Sequence, residues 1–481
     1  MTDYDVVIGL EVHVQIKTDS KMFCSCPNRY GEEPNTLTCP VCTGQPGALP
    51  VPNKKAIEKT VIAGMMCGCD IPNFSKFDRK SYFYPDMAKN YQISQYDFPF
   101  CLGGKIHVDG KGFSGKEIKS KDIGITRIHL EEDASKSTHF ARSSGIDYNK
   151  GGVPLMEIVS EPDMSTADEA YAYLSLVKQI MQYGEIGNCD MEKGQMRCDV
   201  NISLKPKGRT ELGTKIELKN MNGFRAIHRA INYEIGRQAD ILDEGGSLVQ
   251  ETRGWNDDKG RSYLMRVKES EQDYRYFPEP DLMPVLFTDE ELNNFRSDLP
   301  VLPEEIRQRF VNDYGITDFD AQVLTAEKDI AMYFDKAASN TKTPKLLANW
   351  IISELLREIS KSELSINEIK ISPKDLANLV ELINNNTISG KIAKTVFADM
   401  FATGKAPEVI VKEKGLVQVT DESVIENFVK EAIENNPSQV QQYKEGKTAV
   451  LQFFVGQVMK LSRGKANPQA VIKYLKAMLD N

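Results

Sequence analysis

A chain of 481 residues is about three times the usual single-domain length, so two to four domains are expected. With 41% hydrophobic and 27% charged residues it is neither mainly disordered nor collagen-like, and no apolar run approaches the ~20 residues of a membrane helix. The net charge of −9 argues against wholesale coating by a polyanion, although seven basic residues from Lys444 onward face only Glu445 and Asp480, which makes any nucleic-acid contact local.

The opening MTDYDVVIGL lacks a basic or Arg/Ser-rich leader, so a cytoplasmic protein is expected, with its nine cysteines as thiols or metal ligands. Residues 6–16 alternate with period two, which puts Glu11, His13 and Gln15 on one side of a strand. A loop rich in Pro, Gly and Asn follows. It carries Cys24 and Cys26, then Cys39 and Cys42, and four such thiolates can close a tetrahedral Zn²⁺ shell that pins a loop lacking its own core. Free thiols or a redox role are the alternative. A helix is expected over Lys54–Met66.

Residues 124–133 form a second alternating strand, with Arg127, His129, Glu131 and Asp133 on one side and Glu132 at its end. A helix capped at Ser165 stops at Gly184. The strand 196–205 exposes Arg197, Asp199, Asn201 and Ser203, and 214–219 repeats the pattern with Lys215, Glu217 and Lys219. A further helix spans about 226–242. The section closes on a Pro-rich hinge at 276–284, giving an α+β domain on a large, mostly antiparallel sheet. Beyond it the chain reads as short helices, with clear starts at Ser372-Pro373 and Asn467-Pro468 and a break near 403–407.

Antiparallel sheets commonly keep one wet face, and alternation alone does not exclude that here. This face, however, concentrates carboxylates and two of the five histidines, a set suited to a divalent metal holding a nucleotide's phosphates. Nearby lysines would neutralise charge in phosphoryl transfer. No P-loop pattern is present, so an ATP site would be of an unorthodox kind.

Several blocks carry a resemblance: 7–13 (VIGLEVH), 76–86 (KFDRKSYFYPD), 91–95 (YQISQ), 129–133 (HLEED), 157–163 (EIVSEPD), 197–201 (RCDVN), 217–220 (ELKN) and 273–281 (DYRYFPEPD). In content and order they closely resemble the B subunits of aspartyl/glutamyl-tRNA(Asn/Gln) amidotransferases, over essentially the whole chain. The resemblance implies a cradle-like N-terminal domain (1–292, including the zinc loop 24–42), a helical domain (293–406) and a tRNA-binding helical tail (407–481). It implies an enzyme that uses ATP and Mg²⁺ to phosphorylate the side-chain carboxylate of Glu-tRNA(Gln) or Asp-tRNA(Asn). Ammonia would come from a partner amidase (glutaminase) subunit, with a small third subunit clasping the two. Position in the matching motifs nominates Glu11, His13, Glu131, Glu132, Glu157 and Asp199 as the Mg²⁺-binding and catalytic set, Glu157 through the resemblance alone. Arg79, Lys80, Lys215 and Lys219 are nominated for phosphate or the substrate carboxylate, and Cys24, Cys26, Cys39 and Cys42 for structural zinc.

Overall fold

The computed structural model describes residues 4–267, 274–416, 422–462 and 466–480. It divides into two compact units, Met1–Leu302 and Pro303–Asn481.

The first unit is built on a nine-stranded sheet. Its strands run in the order Arg261–Val267, Glu251–Asn256, Ile216–Lys219, Met196–Pro206, Tyr4–Gln15, Pro154–Ser160, Lys121–Glu132 and Cys101–Leu102, with Lys105–Val108 also on the Lys121–Glu132 strand. Each of these pairings is antiparallel except Ile216–Lys219 with Glu251–Asn256. That parallel pair needs a crossover, and the helix Phe224–Asp243 supplies it. The expected α+β class with a mostly antiparallel sheet is thus what the chain forms.

Alternation decides which face is dry. Ile8, Leu10, Val12 and Val14 stand on one side of the first strand, none more than 1% exposed. Register aligns them with Cys198, Val200 and Ile202 on one neighbour and with Met156 and Ile158 on the other. The helix Ala167–Tyr183 packs on the first strand and on Phe224–Asp243, which in turn covers the Met196–Pro206 strand. Burying one such face sets the register, since a one-residue slip would turn every apolar side chain outward. The opposite face is left to polar residues.

Local signals mostly act where expected. The helix Lys54–Met66 forms over its predicted span, capped by the Asn53 side chain. The helix expected to be capped at Ser165 is instead capped by Thr166, whose hydroxyl accepts from the Glu169 amide. Asp168 is thereby released to accept from the Ser114 amide and hydroxyl. The Pro-rich segment is no free hinge: Phe277–Pro278 pairs with Asp78 and Arg79, and Val285–Leu286 pairs with Phe74–Ser75.

The second unit is helical from Pro303–Tyr314 to Pro468–Leu479. Ser372 caps Pro373–Asn384 by accepting from the Asp375 amide, as its sequence predicts. The last four helices enclose their own core of Ile425, Val429, Phe454, Val458, Val471, Leu475 and Leu479. Lys444, Lys447, Lys460, Lys473 and Lys476 are exposed there. Arg463 and Lys465 lie outside the described residues. Among the described residues no helix is long and apolar enough to cross a membrane.

Candidate functional site

Five adjacent strands place their polar side chains on one face of the sheet. His13 stands opposite Glu157 on one side and Arg197 on the other, while Glu11 stands opposite Asp199. Glu157 is in turn opposite His129, and Asn201 opposite Glu217. The face holds two ligand-capable triads: His13 with Glu131 and Glu157, and Glu11 with Asp199 and Glu217. The potential donor atoms of each lie within 4.8 Å of one another. Oxygen-rich donor sets of this kind suit a hard divalent cation.

In the first triad, His13 Nε2 lies 3.2 Å from Glu157 Oε2 and 3.9 Å from Glu131 Oε1. His129 Nε2 is 3.6 Å from both carboxylates, and the Ser94 hydroxyl donates to Glu131 Oε2 at 3.0 Å. Burial alone would favour neutral carboxyls, but His129 and His13 hold Glu157 well below the usual carboxylate range. Burial likewise opposes ionisation of Glu131, and His129 and Lys80 outweigh it. For His13, burial works against the charged form, yet Glu157 raises its pKa above 6.5. The triad therefore presents anionic oxygens although it is nearly dry. The second triad is tied by Asn201 Nδ2, which donates to Glu11 Oε1 at 2.8 Å, and by the Thr252 hydroxyl, which donates to Glu217 Oε2 at 2.7 Å. Asn201 Oδ1 is buried with no hydrogen-bond partner among the described residues, a spare acceptor beside Glu11. A buried, unpaired oxygen next to three carboxylates fits a cation.

Two of the nominated cations reach this face. Burial works against the Lys80 ammonium, but Glu131 and Glu157 outweigh it and raise its pKa. Lys80 Nζ also sits 4.7 Å from the centre of the Tyr274 ring. Lys219 pairs with Asp199 and lies 3.2 Å from Glu217 Oε1. The other two stand apart. Arg79 commits its fork to Glu279 at 2.7 and 2.9 Å and to Asp281 at 3.0 Å, which fastens the Pro-rich segment. Lys215 is exposed just before its strand. Glu132 points away from both triads. It pairs with Lys89 and accepts from the Ile93 amide at 2.9 Å.

The four cysteines converge as their spacing predicts, with sulfurs within 4.8 Å of one another. Cys39 and Cys42 sulfurs are 3.9 Å apart, and the Cys39 amide donates to Cys42 Sγ at 3.2 Å. A hydrogen bond from Cys24, with help from the Cys39 amide and Lys21, overrides burial and draws Cys42 down to about 4. The all-sulfur donor set fits structural zinc.

Of the site residues, sequence reasoning passed over Glu217 and Asn201 as ligands. Both carried the alternation signal. What was missing was the strand register that sets them beside Glu11 and Asp199.

Residues 6–293 match the family model described as the GatB/GatE catalytic domain, and residues 332–479 match that described as the GatB domain. Curated relatives are similar over nearly their whole length. The B subunit of the aspartyl/glutamyl-tRNA(Asn/Gln) amidotransferase of Thermoanaerobacter pseudethanolicus is 52% identical over 477 residues, 99% of each chain. The proteins of the same name from Carboxydothermus hydrogenoformans and Brevibacillus brevis are 50% and 47% identical, over 484 and 483 aligned residues. These alignments take in 100% of this chain and at least 99% of each relative.

Proposed function

Because the chain belongs to the GatB/GatE family, we propose that it is the tRNA-dependent subunit of an ATP-driven, cytoplasmic amidotransferase. In this reading it converts Glu-tRNA(Gln) or Asp-tRNA(Asn) to the amide with ammonia from a partner amidase (glutaminase) subunit, a small clasp subunit joining the two. The observation that carries the reading is the pair of adjacent triads on one sheet face.

A carboxylate does not yield hydroxide to ammonia, so its oxygen must first carry a better leaving group. The substrate carboxylate attacks the γ-phosphorus of ATP, ADP departs, and an acyl phosphate forms. Ammonia then adds to the acyl carbon, loses a proton and expels inorganic phosphate. Mg²⁺ held by His13, Glu131 and Glu157 and by Glu11, Asp199 and Glu217 would supply charge neutralisation of the phosphates. The chain's own cations act alongside. Lys80 is aimed at the Glu131–Glu157 pair and is placed to meet a phosphate or carboxylate oxygen there. Lys219 is held over the second triad by Asp199 and Glu217 and is placed to do the same. His129 keeps Glu131 and Glu157 ionised.

The four cysteines hold structural zinc in this reading. The cradle takes residues 1–292, a helical domain 293–406, and the lysine-bearing tail 407–481 grips the tRNA backbone. The test incubates the full chain with its partner subunits, Glu-tRNA(Gln), labelled ATP and Mg²⁺. ATP cleavage should depend on the charged tRNA, and Glu131→Gln should abolish transamidation while glutamine hydrolysis by the partner continues. Full transamidation by that variant would reject the assignment of the face.

A further inference from the structure

Lys21 is the most deeply buried cation of the molecule's cysteine loop, at 0% exposure. Its ammonium donates to the Tyr148 carbonyl at 3.0 Å and to Cys42 Sγ at 3.7 Å. Its own backbone amide donates to the Cys26 carbonyl, which ties the residue to both cysteine pairs. Gly152, whose φ of +82° favours glycine, faces both residues: a Cβ there would lie in ordinary contact, 3.5 Å from Lys21 Cδ and 3.6 Å from Cys42 Cβ. A lysine is almost never buried this completely without a partner that repays its desolvation.

Four thiolates around Zn²⁺ carry a net charge of −2, and a half-buried dianion is stabilised by a cation in contact with it. We propose that Lys21 is the positioning residue of the four-cysteine metal centre, its ammonium bonding the Cys42 thiolate and neutralising part of the shell's charge. The inference rests on the reading that these cysteines bind zinc. The ammonium draws electron density from Cys42 and fixes the rotamer in which its sulfur faces the other three. Through Tyr148 it joins the metal loop to the turn that precedes the Pro154–Ser160 strand. Outer-shell partners of this type commonly govern metal affinity as strongly as the ligands' own packing does.

The test compares the full-length chain with Lys21→Met, which keeps the length and removes the charge, and Lys21→Gln, which keeps a donor without it. Zinc affinity is read by competition with a chromophoric chelator, and the sulfur-to-metal charge-transfer band is read after Co²⁺ replacement. Lys21→Met should bind zinc about 10–100-fold more weakly. Its Co²⁺ band should move to longer wavelength, because an unbonded thiolate gives up its electron more readily. Lys21→Gln should fall between the two. A residue that only fills space would leave the band in place. Wild-type affinity and an unmoved band in Lys21→Met overturn the proposal; should that variant not fold, the same result in Lys21→Gln does so. A wild-type chain that binds no zinc rejects the zinc reading itself and the role of Lys21 with it.

Discussion

His13 and Glu157 stand directly opposite one another on adjacent antiparallel strands, with Nε2 and Oε2 3.2 Å apart. Glu157 also faces His129 on its other flank, so a single carboxylate is held between two imidazoles in a nearly dry site. That arrangement keeps the oxygens ionised where burial alone would protonate them. In the proposed function these ionised oxygens are what would hold a cation.

Glu217 and Glu132 allow the proposed binding role to be told apart from support. Glu217→Gln removes a charge from the second triad. It should raise the Mg²⁺ concentration for half-maximal ATP cleavage and lower the rate at least about a hundredfold, a transition-state cost of about 3 kcal/mol. Glu132→Gln instead leaves the largely shielded Lys89 ammonium without its carboxylate and should cost about 3 kcal/mol of stability. Its half-saturating Mg²⁺ should not move. Titrations of ATPase activity and denaturant melts of both variants check this, and an unshifted Mg²⁺ curve for Glu217→Gln would remove it from the site.

Arg79 is predicted to act through the segment it fastens. Lysine cannot reproduce the two-pronged contact with Glu279, so Arg79→Lys should weaken the anchor by about 1.5–3 kcal/mol. Hydrogen exchange at Phe277–Pro278 and in the paired Asp78–Ser81 strand should quicken, with exchange in the central sheet unchanged. Uniform exchange across both would contradict the tether.

Asp168 supplies a pH test of stability. Burial disfavours its charge, but the Ser114 hydroxyl and amide and His228 outweigh it and lower its pKa below 3.8. A depressed carboxylate contributes stability above its unfolded value and loses it as pH falls through the folded one. Asp168→Asn should therefore melt below the wild type at pH 7, and the gap should narrow towards pH 3. A gap that widens on acidification would give the wrong sign.

The tRNA contact proposed for the tail should be electrostatic. Lys473 and Lys476 project from the Pro468–Leu479 helix into solvent. Replacing both with alanine should flatten the plot of log affinity against log salt by about one unit for each lysine that touches phosphate. An unchanged slope in filter-binding measurements would place the contact elsewhere.

Much of this site was legible because a strand has period two. Glu11, His13, Glu131 and Asp199 fall on one face by counting alone, and the fold obeys the count. Glu157 was invisible to that method, since its strand is buried on both faces and shows no alternation. It entered only by resemblance. Glu132 has the wrong parity for the triads, and its position at a strand end concealed this. Arg79 reads as a free cation until Glu279, two hundred residues on, is brought against it. Periodicity reports the direction in which a side chain points, while its partners depend on register and on distant chain.

The Tyr4–Gln15 strand lies in the middle of the sheet, yet its neighbours are Pro154–Ser160 and Met196–Pro206. On the ribosome it leaves the exit tunnel long before either. At about 5–20 residues per second, the strand waits roughly 10–40 s for its second neighbour. Until Pro154–Ser160 emerges, Ile8, Leu10, Val12 and Val14 belong to a nascent ribbon with two open edges, and thereafter to one with a single open edge, a ready substrate for holding chaperones or for misassembly. The earliest-made strand of the sheet thus stays unenclosed until the Met196–Pro206 strand has been synthesised.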